Sequence, residues 1–251
     1  MEWRSIIYPP RCPGCDRILL TEERTRGFCA SCLAQIIPAA EPCCKICGKP
    51  IEDESLDRCS DCRREEHNFV QGKSLFVYQG PMKEAMYRFK YSRRLAYRRS
   101  FAAEAIRRYA PERMRPAQKT AGDGWLAGSG VQLIIPVPMH AARERKRGYN
   151  QAAVWGGGLS EMTGIPQASH LLIRTRNTAP QKTLTREKRR ANLEGAFALS
   201  GMGAAVRGRR ILLVDDIYTT GSTCDAASRV LLDGGAEAVY LLTICIGRGD
   251  A

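Results

Sequence analysis

The sequence predicts an α/β body, built on a mostly parallel sheet with helices on both faces and preceded by a small cysteine-rich head. Three observations carry this. Apolar runs with no polar alternation recur along the second two thirds of the chain, and strands that are apolar throughout belong to parallel sheets covered on both faces. Between those runs lie stretches with apolar residues at helical spacing. Nine of the eleven cysteines fall within the first 62 residues. At 251 residues with 44% hydrophobic content, the chain is long enough for one full α/β domain and a small accessory module. The boundary is placed at residue 68, giving a head of 1–68 and a body of 69–251.

The head contains four Cys-x-x-Cys pairs: Cys12 with Cys15, Cys29 with Cys32, Cys44 with Cys47, and Cys59 with Cys62, at intervals of 13, 11 and 11 residues. Two thiolates separated by two residues reach one metal from a tight turn, and four complete the tetrahedron that zinc prefers. Eight ligands make two sites. Four thiolates leave no position open for water, so the zinc is expected to be structural rather than hydrolytic. A disulfide framework is disfavoured by the odd cysteine total and the lack of a secretory signal. The near-equal intervals leave the pairing open between adjacent and alternating motifs. Cys43 is left over without a role.

In the body, SLFVY (74–78) reads as a strand, and PMKEAMYRFKY (81–91) and LAYRRSFAAEAIRRY (95–109) read as amphipathic helices. Residues 110–130 are rich in Pro, Gly, Ala and Ser and are expected to form a loop or flexible insert. The strand VQLIIPV (131–137) follows, then a loop PMHAARERKRG (138–148) and a helix YNQAAVWGGGLSEMTG (149–164). The chain closes with strand ILLV (211–214), loop DDIYTTGST (215–223), helix TCDAASRVLLDGGA (223–236) and strand AVYLLTICI (238–246). No internal repeat is present in the body. Ligands of open parallel sheets sit at the carboxyl ends of the strands, which directs attention to residues 215–223. A glycine and hydroxyls ahead of a helix amino end make an anion site. Two adjacent carboxylates would repel phosphate, so their better partners are neutral hydroxyls or a divalent cation. A sugar diol beside a phosphate satisfies both halves.

The formal charge of +13 is concentrated in stripes. Ten basic residues lie between Arg88 and Arg115 against Glu104 and Glu112, and seven lie between Arg174 and Arg190 against Glu187. Such stripes suit polyanions, while a solvated helix face explains any single one equally well. The start, MEWRSIIYPPRC, has no apolar leader core and AVYLLTICI is too short to span a bilayer, so a soluble cytoplasmic protein without membrane insertion is expected.

The stretch ILLVDDIYTTGST (211–223) resembles the 5-phosphoribosyl 1-pyrophosphate (PRPP) binding motif of type I phosphoribosyltransferases. IIPVPMHAARERKRGYNQA (134–152), RTRNTAPQKTLTREKRRANLEGAFAL (174–199) and the cysteine-rich head resemble the ComF family of competence-associated proteins, whose head is a double zinc ribbon. The resemblance runs from about Pro9 to Ile246. It implies a type I phosphoribosyltransferase-like fold, with Asp215 and Asp216 on the ribose hydroxyls and Thr219, Thr220, Gly221, Ser222 and Thr223 on the 5-phosphate. Loop 136–140, with Val137 and Pro138, resembles the pyrophosphate loop, and Arg147 follows it as a neutralising cation. The segment from Arg174 to Arg190 matches the closing flap, with Arg174, Gln181, Lys182 and Arg190 as candidate site residues. Its six net positive charges without apolar rhythm suit a mobile flap. The implied reaction displaces pyrophosphate from the anomeric carbon, with Mg2+ neutralising the leaving group and no nucleophilic side chain required. His67 falls at the head boundary and His140 near the pyrophosphate loop. Both are expected to be surface or core histidines.

Two functions compete at this point. One is a phosphoribosyltransferase of nucleotide metabolism acting on an acceptor that residues 74–130 do not spell out. The other is a non-catalytic adaptor in DNA uptake that binds single-stranded DNA and partner proteins such as a helicase or recombination mediator; a retained fold serving as a ligand-gated scaffold lies between them.

Overall fold

The computed structural model describes residues 9–110, 124–177 and 192–247. Two short helices, α1 (Ala30–Leu33) and α2 (Ser60–Arg64), belong to the head. The body begins with β1 (Gln71–Val77), α3 (Pro81–Tyr91), α4 (Tyr97–Tyr109) and α5 (Trp125–Gly128). It continues with β2 (Leu133–Pro136), α6 (Ala141–Arg147), α7 (Gln151–Thr163), β3 (Leu172–Arg174), β4 (Phe197–Leu199), β5 (Arg210–Tyr218), α8 (Ser222–Asp233) and β6 (Ala238–Ile246).

The main sheet has the order β1-β6-β5-β2 and every pairing in it is parallel. Its strands are buried on both faces, as their unbroken apolar runs require. On β5, Leu212 and Val214 point to one side, where they meet α3, α4 and α7, while Ile211 and Leu213 point to the other, where they meet α8. The alternation divides the interior into two apolar layers. Helix α7 passes through Gly156, Gly157 and Gly158 without a break. A Cβ on Gly158 would lie 3.0 Å from the carbonyl oxygen of Arg98 on α4, so the missing side chain allows close helix packing.

The head closes the edge of this sheet. Its segment 37–39 runs antiparallel to β1, with Ala39 donating to the Leu75 carbonyl and Val77 donating to that of Ile37. Gly72 donates to the Ile46 carbonyl from further along the same edge. A parallel sheet's open edge is a template for unwanted pairing, and here the head covers it.

Three expectations change. The 138–148 stretch holds α6, which its Arg and Lys residues and the His140 cap support, where a loop was expected. Strand β5 continues through Asp215–Tyr218, because β6 is long enough to pair with it as far as Ile246. The hairpin of β3 and β4 was not foreseen; three-residue strands leave no periodic signature. Of the flap, Gln181, Lys182 and Arg190 lie outside the described residues, as does most of the 110–130 insert.

Candidate functional site

The cysteines assemble first with second and third with fourth, so the pairing is adjacent. The sulfur atoms of Cys12, Cys15, Cys29 and Cys32 lie within 4.8 Å of one another, as do those of Cys44, Cys47, Cys59 and Cys62. The Cys15–Cys29 and Cys47–Cys59 sulfur separations are both 3.7 Å. A tetrahedron with metal–sulfur bonds of about 2.3 Å requires about 3.8 Å, so both donor sets fit zinc. In the second cluster, hydrogen bonds from Cys47, Cys59 and Cys62 hold the Cys44 thiol far below its ordinary range, while the same contacts with Cys44 push Cys47 and Cys62 up. Cys43 stands outside both clusters and pairs its backbone with Pro50.

Across the molecule, β5 delivers the diacid and α8 the anion loop. Asp215, Thr219, Gly221, Ser222 and Thr223 line one depression at the carboxyl end of the sheet. Gly221 is the N-cap of α8 with φ +84°, a left-handed conformation, and it has no side chain with which to cap the first turn. Thr220 and Ser222 bring their hydroxyls to 3.1 Å across it. The helix end therefore presents amides and hydroxyls together, the arrangement that holds an anion.

The two acids differ. Lys90 on α3 reaches Asp216 at 3.0 Å. Burial opposes the charge on Lys90, but Asp216, with Asp215 behind it, holds its pKa above the ordinary value. Asp215 has no such direct partner: burial and the neighbouring Asp216 carboxylate push it up to about 7, against the Asp216 amide that donates to it at 2.7 Å. Arg174, at the end of β3, acts on Asp215 from a distance. Burial and nearby Arg143 lower the pKa of Arg174, and Asp215 offsets part of that. Lys90 and Arg174 thus bring positive charge to a site that also holds two carboxylates, and Arg143 lies close enough to act on Arg174.

Sequence reasoning missed Lys90 and Arg143. Each stands in a run of cations where nothing in the sequence singles it out. Arg147 was preferred, yet its guanidinium bonds to Gln151 at 2.5 Å and lies 5.0 Å above the Tyr91 ring. Val137 donates its amide to Val214 and accepts from Asn150 with its carbonyl, while Pro138 has no N–H. The backbone of neither residue offers a donor to pyrophosphate. His140 accepts from Ala142 as the cap of α6, a structural role as expected.

Replacing Lys90 with Met should leave the two carboxylates facing each other without their directly paired cation. We expect a loss of about 2 kcal/mol in urea unfolding at pH 8 and a smaller loss at pH 4, where protonation relieves the repulsion. Equal losses at both pH values would show that Lys90 contributes packing alone.

The long basic stripe is not a free cationic face. Arg88 donates to the Gly14 carbonyl, Arg94 and Tyr97 to Asp16, Arg98 to Glu161, and Arg107 and Arg108 to Glu104. Arg88 and Arg94 clamp the head to the body. Phe89, Tyr97, Phe101 and Tyr109 are buried, so they belong to the core, while Tyr91 is exposed. No helix among the described residues is long and apolar enough to cross a membrane.

Residues 3–63 match the family model described as a double zinc ribbon domain. The chain is 30% identical to competence protein F of Haemophilus influenzae over 86% of its own length and 88% of that protein's. It is also 30% identical to the DNA utilization protein YhgH of Escherichia coli over 87% and 90%. Among solved structures, a glutamine PRPP amidotransferase from B. subtilis aligns with 45% of this chain and 22% of its own at 20% identity, with a TM-score of 0.31 that supports no functional inference. With two adjacent four-cysteine clusters, the double zinc ribbon match and near-complete coverage of the curated relative, the chain belongs to the competence protein F family.

Proposed function

We propose that this chain binds PRPP with Mg2+ and is a phosphoribosyltransferase, displacing pyrophosphate from the anomeric carbon in favour of an acceptor. The observation that carries this reading is the uncapped amino end of α8 lining one depression with Asp215, the first acid of the pair on the carboxyl-terminal half of β5. The loop from Thr219 to Thr223 takes the 5-phosphate, and Asp215 and Asp216 accept from the ribose hydroxyls. Mg2+ bound to the pyrophosphate would screen its charge. Lys90 and Arg174, with Arg143 near Arg174, offset what remains. With no buried nucleophile required, catalysis rests on orientation and electrostatics. Isothermal titration with PRPP and Mg2+ tests binding, and mass spectrometry of pyrophosphate release against a metabolite pool tests transfer. No heat of binding at millimolar ligand would end the reading.

The DNA-binding adaptor stands as the alternative. With most described stripe cations already paired, exposed Arg93 and Arg99 leave about two phosphate contacts, so single-stranded oligonucleotide affinity should fall with salt at a log-log slope of about 1.4. Fluorescence anisotropy across salt concentrations reads it. A slope of about 3 or more would mean that DNA displaces the internal pairs.

A further inference from the structure

Asp225 sits in the first turn of α8, where an acidic side chain ordinarily serves its own helix by meeting the unpaired amides. Here both carboxylate oxygens turn away. One lies 2.8 Å from Nδ1 of His67, and the other accepts from the Asn68 amide at 3.1 Å. Asn68 returns the contact, its side chain donating to the Asp225 carbonyl. The helix end is thereby kept open for an external anion, and residues 67–68 are stapled to it.

Those residues lead directly from the second cysteine cluster. The chain leaves α2, which carries Cys62, and enters the interior at His67, whose side chain is only 1% exposed. The imidazole stacks on Phe69 at 4.8 Å, and Phe69 meets Tyr218 edge-on at 6.3 Å. Cys47, Cys62, Phe69, Tyr218 and Cys224 share one apolar cluster. Tyr218 and His67 make a wall behind the loop: a Cβ on Gly221 would lie 2.5 Å from the Tyr218 hydroxyl and 3.1 Å from Cε1 of His67. The left-handed Gly221 can rest against that wall only while His67 and Tyr218 stay in place. The first cluster packs in the other apolar layer, where its Asp16 meets Arg94 and Tyr97.

We propose that Asp225, through His67 and Asn68, couples the second four-cysteine cluster to the Thr219–Thr223 loop, so that metal in that cluster holds the loop in its anion-binding shape. Asp225 and His67 are positioning residues, and the inference rests on the phosphate-binding reading of the loop.

The test measures ribose 5-phosphate and PRPP affinity of the full chain by titration calorimetry, with zinc content and melting temperature in parallel. Asp225→Ala should weaken both ligands at least tenfold while retaining wild-type zinc, and His67→Asn, which keeps a donor for Asp225, should recover part of the affinity lost in His67→Ala. Wild-type affinity in Asp225→Ala overturns the coupling and leaves the phosphate site standing. No binding by the wild type overturns both. Should Asp225→Ala fail to fold, hydrogen exchange of the peptide spanning 217–226 decides: Cys59→Ser should deprotect it and Cys29→Ser should not. Equal exchange in those two variants refutes the proposal.

Discussion

Replacing Asp215 and Asp216 together with Asn is expected to abolish the thermal shift that PRPP with Mg2+ produces, while Asp215→Asn alone, which keeps Asp216 paired with Lys90, should make the unliganded chain more stable at pH 8. In the folded chain burial and the adjacent Asp216 raise Asp215 to about 7, above its ordinary 3.8. A carboxyl whose pKa is raised by folding gives stability that is fully present below about pH 4 and is lost as pH climbs through about 7, because ionisation is then harder in the native state than in the unfolded one. Asp215→Asn removes the titration and the like-charge repulsion. A gain of about 1 kcal/mol would raise the melting temperature by about 2–4 °C in a chain of this size. The amide is a poorer acceptor for sugar hydroxyls than a carboxylate, so ligand stabilisation disappears in the double variant. Wild-type ligand affinity should also rise from pH 6 to pH 8 as Asp215 ionises, and the double variant should show no such rise. A wild-type thermal shift in the double variant would mean that the diacid is not the sugar site. Lower stability of Asp215→Asn at pH 8 would mean that the Asp215 carboxylate is structural.

What the sequence reveals divides along physical lines. The parallel strands and α3, α4, α7 and α8 are legible because each is long enough for its burial pattern to repeat. The cysteine clusters are legible because metal ligation needs two residues at fixed spacing on the same turn. Adjacent pairing is not, since spacing alone satisfies either topology until segment 37–39 lies along β1. The diacid and hydroxyl loop are contiguous, so their order in the chain is also their order in space. Lys90, Arg143, His67 and Asp225 come from four separate segments, and only folding brings them to the site. Lys90 reads as one cation of a stripe and becomes the partner of Asp216; Asp225, one residue of the predicted helix 223–236, serves the head junction. The basic stripe erred in the opposite direction. Its charges looked free because their partners, Asp16, Glu161 and the Gly14 carbonyl, are distant in sequence.

Loss of one thiolate from the second cluster should be the most damaging substitution in the chain. Cys47 is 1% exposed, and its sulfur contacts that of Cys59 at 3.7 Å. The backbone at this turn is pressed against the sheet: Ile46 accepts from Gly72, and a Cβ on Gly48 would lie 2.7 Å from the Gly72 carbonyl oxygen. A structural zinc site contributes on the order of 10 kcal/mol to the folding of the segment that binds it, as much as the whole net stability of a typical domain. Cys47→Ser is expected to lower bound zinc from about two equivalents to about one and to unfold residues 40–64, which carry little other secondary structure. The consequence would reach the body. With that segment detached, the Gly72 end of β1 loses its cover and the exposed edge favours association, so the variant should aggregate at temperatures where the wild type stays monodisperse. Cys43→Ser provides the control, since its sulfur lies outside both clusters and its replacement should leave zinc content unchanged. Two retained zinc equivalents in Cys47→Ser with an unaltered melt would show that three thiolates suffice and that the cluster is not what holds this part of the head in place.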